Sequence, residues 1–224
     1  MIPLRDDIRS EKRPFVTWGL MTACVGVFGL QALSGRYGSP DFQTVTDAYG
    51  MVPFDIVHGR HLWTLLTSMF LHGGIFHLLG NMLYLWIFGD NIEDAFGHLW
   101  FLVVYLFTGI VGSLLQIVAM PGSTITTIGA SGAISGVMGA YFVLFPRARV
   151  LTLIPIFFFI RLIYLPAPLL LGLWILFQIL NGCGSVPGTG GGVAYFAHIG
   201  GFASGLMLGL LVRNRVRRPW YEIR

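Results

Sequence analysis

Charge is what this sequence has least of. Only 11% of its 224 residues are Asp, Glu, Lys or Arg, against roughly 25% in soluble domains. Hydrophobic residues make up 55% and the mean hydropathy is +0.74. That balance excludes an ordinary soluble domain and describes an integral membrane protein. Cysteine is nearly absent. Cys24 lies in an apolar run and Cys183 in a glycine-rich stretch, which leaves neither a disulfide framework nor a metal-type Cys spacing. Carboxylates are missing from the apolar runs. All ten (Asp6, Asp7, Glu11, Asp41, Asp47, Asp55, Asp90, Glu93, Asp94 and Glu222) fall in termini, connections or span ends. No internal repeat and no second domain is visible. The formal net charge of +4 does not point to nucleic acid, because the basic residues sit where membrane topology would put them.

What is present is a series of apolar runs long enough to cross a bilayer, which needs roughly 20 residues per helix. Six are expected: Phe15–Leu33, Ile75–Ile92, Leu99–Met120, Ile128–Phe145, Ala167–Leu180 and Val193–Val212. The first is long for a signal-peptide core and other spans follow, so it reads as a retained helix. The fold class expected is therefore all-α, a six-transmembrane-helix bundle. It comprises a polar, basic segment over residues 1–14, a helical body over 15–212 and a basic tail over 213–224. The connection Ser34–Gly74 is partly apolar and too long for a turn, so it should fold as an interfacial or membrane-dipping subdomain. Val150–Leu165, interrupted by Pro155 and Arg161, reads as a membrane-surface hairpin or helix. The glycine-rich stretch Asn181–Gly192 reads as a mobile lid.

Six spans place both termini on one side. Twelve basic residues then lie on that side (Arg5, Arg9, Lys12, Arg13, Arg147, Arg149, Arg161, Arg213, Arg215, Arg217, Arg218 and Arg224), and only Arg36 and Arg60 lie opposite. The positive-inside rule makes the terminal side cytoplasmic. A multi-pass protein of a cell membrane, with both ends inside, is the expected setting.

The run Gly129-Ala130-Ser131-Gly132-Ala133-Ile134-Ser135-Gly136 is apolar enough for a bilayer, yet it frames a serine with glycines at the start of a helix. Small residues permit close helix approach, so a plain packing face is one reading. In it Gly129, Gly132 and Gly136 face Gly201 and Gly205 of the last span, with Gly139 and Gly209 continuing the series. Polar residues inside spans are costly and mark function by default. Spans two, four and six run in the same direction, so His77, Ser131 and His198, each near a span start, fall at one depth. Asn81 lies one turn below His77 on the same face. A serine hydroxyl becomes a nucleophile when an imidazole accepts its proton. With no carboxylate at that depth, the expectation is a Ser131–His198 dyad. Its oxyanion would be held by the Ser131 backbone N–H, the Asn81 amide and the His77 ring.

These motifs resemble the rhomboid intramembrane serine proteases over essentially the whole six-span core. The matching residues are Gly129-Ala130-Ser131-Gly132, the His-x-x-x-Asn motif His77-Leu78-Leu79-Gly80-Asn81, and Ala194-Tyr195-Phe196-Ala197-His198-Ile199-Gly200-Gly201-Phe202-Ala203-Ser204-Gly205 of the last span. The resemblance implies Ser131 as nucleophile, His198 as general base, and His77 with Asn81 at the oxyanion. It implies transmembrane segments of other proteins as substrates, cut in the lipid bilayer at a site opening toward the outer face, with no metal and no cofactor. Lateral entry near spans two and five, with the stretch Asn181–Gly192 as a cap, is expected. Two departures stand out. The family often has a Trp-Arg pair in the first loop, where Trp63 is followed here by Thr64. Bacterial relatives often carry an aromatic ring four residues after the nucleophile, where this chain has Ser135, which predicts a less firmly held His198.

Other residues have plainer readings. His72 should help build the first loop, His58 and His61 read as solvated loop histidines, Glu93 as a structural hydrogen-bonding group at a span end, and Trp100 and Trp220 as interface anchors. Two competing functions remain. A rhomboid-like protein that binds or extracts membrane clients without cutting them would usually lack the serine or the histidine. A metal permease using His72, His77 and His198 would be expected to carry intramembrane carboxylates and repeated broken helices.

Overall fold

The computed structural model of the chain describes residues 1–35, 39–156, 159–184, 192–214 and 216. Expectations for Arg36, for the centre of the lid at 185–191, and for Arg215, Arg217, Arg218, Trp220, Glu222 and Arg224 fall outside these residues. Within them the protein is mostly helical, and its long helices begin close to where the apolar runs begin. They are α1 (Phe15–Ser34), α5 (Ile75–Phe96), α6 (His98–Ala119), α7 (Ser131–Leu144), α8 (Ala167–Cys183) and α9 (Tyr195–Val212). Three of them, α1, α6 and α9, are long and apolar enough to cross a membrane; α7 and α8 are apolar but shorter. The segment Thr64–Phe70 and α5 form a pair bent by 92°, which counts as a fourth span if the two are taken together. Between α1 and α5 the chain folds into short helices, α2 (Pro40–Tyr49), α3 (Pro53–Val57) and α4 (Thr64–Thr67), as a subdomain rather than a loose loop.

The all-α expectation needs correcting. Residues Ile2–Asp6 form β1, which pairs antiparallel with β2 (Arg149–Ile156), and β2 pairs with β3 (Phe159–Pro166). The apolar stretch after α7 is thus a β-hairpin. The segment 1–14 is not separate from the helical body, because its strand completes a sheet. Alternation in Val150–Leu165 is weak because β3 is exposed along most of its length, so periodicity could not single out a strand there. Partners far apart in sequence, such as Ile2 and Leu153, leave no local signature.

Every residue of α7 from Gly132 to Tyr141 is buried, so α7 is the central helix. A 14-residue helix is about 21 Å long at 1.5 Å per residue, short of a bilayer's roughly 30 Å. The chain reaches it through non-helical backbone, which at membrane depth must have its polar groups satisfied by protein. They are: Met51 and Thr127 exchange N–H···O bonds of 3.0 and 2.7 Å, Phe54 N–H donates to Ser123 O at 3.0 Å, and Gly129 N–H donates to Ser68 O at 2.9 Å. The first-loop subdomain therefore serves as the wall against which the entry to α7 is laid.

Against its other side α7 takes α9 at backbone distance. A Cβ on Gly201 would collide with the Gly132 carbonyl oxygen, and one on Gly205 with that of Gly136. Gly132 would itself accept a Cβ at ordinary contact distance, and Gly136 is closed off by Thr108 of α6. The α-carbon faces that must stay bare for this contact are Gly201 and Gly205 on α9 and Gly139 on α7, where a Cβ would collide with the Phe202 carbonyl oxygen.

Two polar clusters fix the far end of the bundle. Glu93, 1% exposed, caps α1: its carboxylate accepts from Val16 N–H (2.9 Å), Thr17 N–H (2.7 Å) and the Thr17 hydroxyl (2.7 Å), and it meets His98 Nδ1 at 2.5 Å. Two orphan backbone donors of a helix start and one side-chain hydroxyl are thereby satisfied by one buried carboxylate. In the second cluster, Asp6 of β1 accepts from the Tyr141 hydroxyl (2.5 Å) and from Asn91 Nδ2 (2.8 Å). Burial pushes the Asp6 carboxyl up to about 7, with the nearby Asp90 and Asp7 charges adding to the rise.

Glu93→Ala should lower the thermal midpoint in detergent by the equivalent of about 2–4 kcal/mol, since it strands donors around a lost buried charge. The Asp6 carboxyl titrates near 3.8 when exposed and near 7 in place. Between these values the folded protein holds the extra proton, so its stability falls as pH rises through that window. Asp6→Asn should remove most of this slope in midpoint against pH.

Candidate active site

The site is assembled where the N-terminal ends of α5, α7 and α9 meet. Ser131 is the first residue of α7, and the first intrahelical bond is Ile134 N–H to Ala130 O at 3.0 Å. The N–H groups of Ser131, Gly132 and Ala133 therefore form the positive end of a helix, where negative charge is favoured. His198 is the fourth residue of α9, and the start of that helix is held by the Gln116 side chain of α6, whose Oε1 accepts from Ala197 N–H at 3.3 Å. The close α7–α9 backbone contact then brings Ser131 Oγ within 2.7 Å of His198 Nε2.

His77 lies in the first turn of α5. Its Nδ1 accepts from Gly73 N–H at 3.3 Å, which leaves the ring proton on Nε2 and makes that atom a donor. Gly129 connects the two: it has φ +124, and a Cβ there would lie 2.8 Å from His77 Nε2 and 3.6 Å from Ser131 Oγ. Only glycine adopts that backbone angle without strain and leaves the His77 ring room beside the serine. Gly129 was grouped with the packing glycines from sequence. It lies before α7 and acts at this approach instead. Asn81, 8% exposed, carries an Nδ2 with no hydrogen-bond partner among the described residues, a buried donor of the kind that native structures rarely leave unused.

Ser135 takes no part in this cluster. Its hydroxyl is buried one turn further along and donates to the Ser131 carbonyl at 2.6 Å. His72 is fully buried beside the site, with its ring centroid 5.2 Å from that of His77 and its backbone tied to Gln31 of α1 through His72 N–H to Oε1 at 3.1 Å. His58 and His61 are exposed in the first loop; His58 Nδ1 donates to Phe54 O. No group of three or more metal-ligating side chains occurs among the described residues.

Two neighbours of His198 were not anticipated. Gln178 of α8 presents Oε1 at 2.8 Å from His198 Nδ1, and Trp174, one turn earlier, places its ring 5.6 Å from the imidazole with the planes 37° apart. An aromatic ring thus flanks the histidine although position 135 carries none, and it comes from α8 rather than from α7. The first loop similarly finds another arginine. Thr64 is buried and donates to His61 O at 2.8 Å, while Arg60 pairs with Asp55 at 2.7 Å and lies 5.5 Å over the Phe54 ring.

A mostly helical chain with apolar helices of membrane length, and with Ser131, His198 and His77 gathered at helix starts, narrows the class of molecule, and comparison with known proteins gives its family. Residues 59–215 match the model of the Rhomboid domain. RHOMBOID-like protein 4 of Arabidopsis thaliana is 32% identical over 186 residues, which is 83% of this chain and 43% of that protein. Rhomboid protease GluP of Bacillus subtilis is 36% identical over 128 residues, 57% of this chain and 24% of that protein. Rhomboid protein 1, mitochondrial, of Saccharomyces cerevisiae is 29% identical over 209 residues, 91% and 55% of the two chains. The chain spans about half or less of the length of these relatives. It belongs to the rhomboid family.

Gly129→Ala should cost about 1–3 kcal/mol of stability from strain at a positive φ. It should also displace His77, which would be read as a lowered thermal midpoint together with a shifted His77 ring signal by NMR.

Proposed function

We propose that this protein is an intramembrane serine endopeptidase that cuts transmembrane segments of other membrane proteins. The observation that carries the reading is the 2.7 Å contact between Ser131 Oγ and His198 Nε2, made inside a family that includes a named protease. His198 Nε2 takes the Ser131 proton as Oγ bonds to the substrate carbonyl carbon, forming a tetrahedral adduct. Its oxyanion lies against the start of α7 and accepts from Ser131 N–H, His77 Nε2–H and Asn81 Nδ2–H. The imidazolium then gives its proton to the leaving amine as the peptide bond breaks, and water, activated by the same histidine, releases the acyl group. Gly132, Gly136, Gly201 and Gly205 serve this chemistry by letting α7 and α9 meet.

The working topology has six spans: the bent Thr64–Phe96 pair as one, α1, α6 and α9, and the shorter α7 and α8. Both termini are cytoplasmic and the site opens toward the outer face of a cell membrane, as the 12 to 2 division of basic residues supports. The body of the enzyme is 15–212, with residues 1–14 joined to it through β1 and 213–224 as a basic tail. No cofactor is assigned, and the partners are the bilayer and the membrane-spanning substrates.

With a fluorescent transmembrane peptide in liposomes, Ser131→Ala and His198→Ala should abolish cleavage, and Ser135→Ala should leave it within a fewfold of wild type. Asn81→Ala should lower kcat by about 10²-fold, the scale of one oxyanion donor. Undiminished cleavage by Ser131→Ala would overturn the reading. A folded wild type that binds such peptides without cutting any would favour a client-binding role.

A further inference from the structure

We propose that Gln178 is a positioning residue for the general base, so that the working unit is Ser131, His198 and a neutral amide from α8. This rests on the serine-protease reading above and extends it to a residue outside the two-residue unit expected from sequence. The orientation of the amide follows from its surroundings. Its nitrogen lies 3.4 Å from the Trp174 carbonyl oxygen, which can only accept, so the oxygen is the atom turned to His198. That oxygen in turn can only accept, so the group facing it at 2.8 Å is His198 Nδ1–H. A neutral imidazole holding its proton on Nδ1 has its lone pair on Nε2, the atom 2.7 Å from Ser131 Oγ. Gln178 therefore selects the tautomer that can take the serine proton, and it accepts from the imidazolium that results.

Trp174 and Gln178 are four residues apart and share one face of α8. The ring limits the tilt of the imidazole while the amide limits its rotation. Two independent restraints on His198 thus come from one helix. In water-exposed catalytic sites the orienting group is commonly a carboxylate. Inside a bilayer an extra buried charge is costly, and among the described residues the ring partners of His198 are Gln178 and Ser131, neither of them a carboxylate. An amide provides the same acceptor geometry without the charge. Of the 17 residues of α8 only Ala167, Leu170, Leu171 and Gly182 are buried, and Gly182, one turn beyond Gln178, faces Tyr195, Phe196 and Ile199 of α9. Any outward movement of α8 would release Nδ1 and weaken the base, so the position of this helix and the competence of His198 are one variable.

The test compares wild type, Gln178→Leu and Gln178→Glu of the full chain, using peptide cleavage in liposomes and ¹⁵N spectra of histidine-labelled protein. Gln178→Leu should lower kcat by about tenfold or more, equivalent to about 1.4 kcal/mol, with KM within twofold, and its His198 signal should lose the Nδ1–H tautomer. Gln178→Glu, which keeps an acceptor oxygen, should retain that tautomer and recover most of kcat. Wild-type kcat in Gln178→Leu, an unchanged tautomer in that variant, or no recovery in folded Gln178→Glu would each overturn the proposal. The tautomer is read without turnover, so failure of wild type to cleave any peptide would remove the protease reading while the spectra still decide whether Gln178 orients His198.

Discussion

The contact on which the rest depends is the backbone approach of α9 to α7. Hydrocarbon gives helices no hydrophobic reason to associate, so their pairing rests on van der Waals contact over small residues and on a few polar bonds. Gly201 over Gly132 and Gly205 over Gly136 set the separation of the two helix axes, and that separation sets the distance from Ser131 to His198. The surrounding elements refine it. Thr108 closes α7 against α6, and Gln116 fixes the first turn of α9. A methyl group is enough to spoil such an interface, because the atoms it would meet are carbonyl oxygens of the other backbone, which cannot rotate away as a side chain could.

The site divides into parts with different supports. Ser131 rests on the central helix, which is buried from Gly132 to Tyr141. His77 and Asn81 come from α5, whose start is positioned by the first-loop subdomain through Gly73 and His72. His198 stands on α9 and meets Gln178 and Trp174 of α8. This division separates a half of the site made from α5 and α7 from a half whose outer wall is a helix with few buried residues.

Much of this was legible in the sequence because membrane helices write their positions in hydropathy, and because parallel helix direction converts a position near a helix start into a depth. That argument placed His77, Asn81, Ser131 and His198 in one layer without any side-chain geometry. It failed where the information is not local. Gln178 looks like an ordinary polar residue near a span end, and its partner is 20 residues away on another helix. Its spacing of four from Trp174 was the available signal. Gly129 was legible as small, but whether smallness serves a helix face or a positive φ depends on where α7 begins, and helix starts in apolar sequence lack sharp markers. The sheet escaped for a third reason. Strand pairing over more than a hundred residues carries no periodic trace, and Val150–Leu165 read equally well as a surface hairpin or a helix.

That sheet has a consequence for how the protein is made. Asp6 and Val150 are register partners, so β1 leaves the ribosome well before its pairing strand exists. At roughly 5–20 residues per second, the first strand waits on the order of 7–30 s while the helices up to α7 are inserted. Its edge groups remain unpaired for that time, and its charges Arg5 and Asp6, with Asp7 just beyond it, suit it to wait in water. Sheet closure, with Asp6 reaching Tyr141 in the last turn of the helix that carries Ser131, is therefore a late event in biogenesis, one that fastens β1 to the foot of the central helix only after that helix is in place.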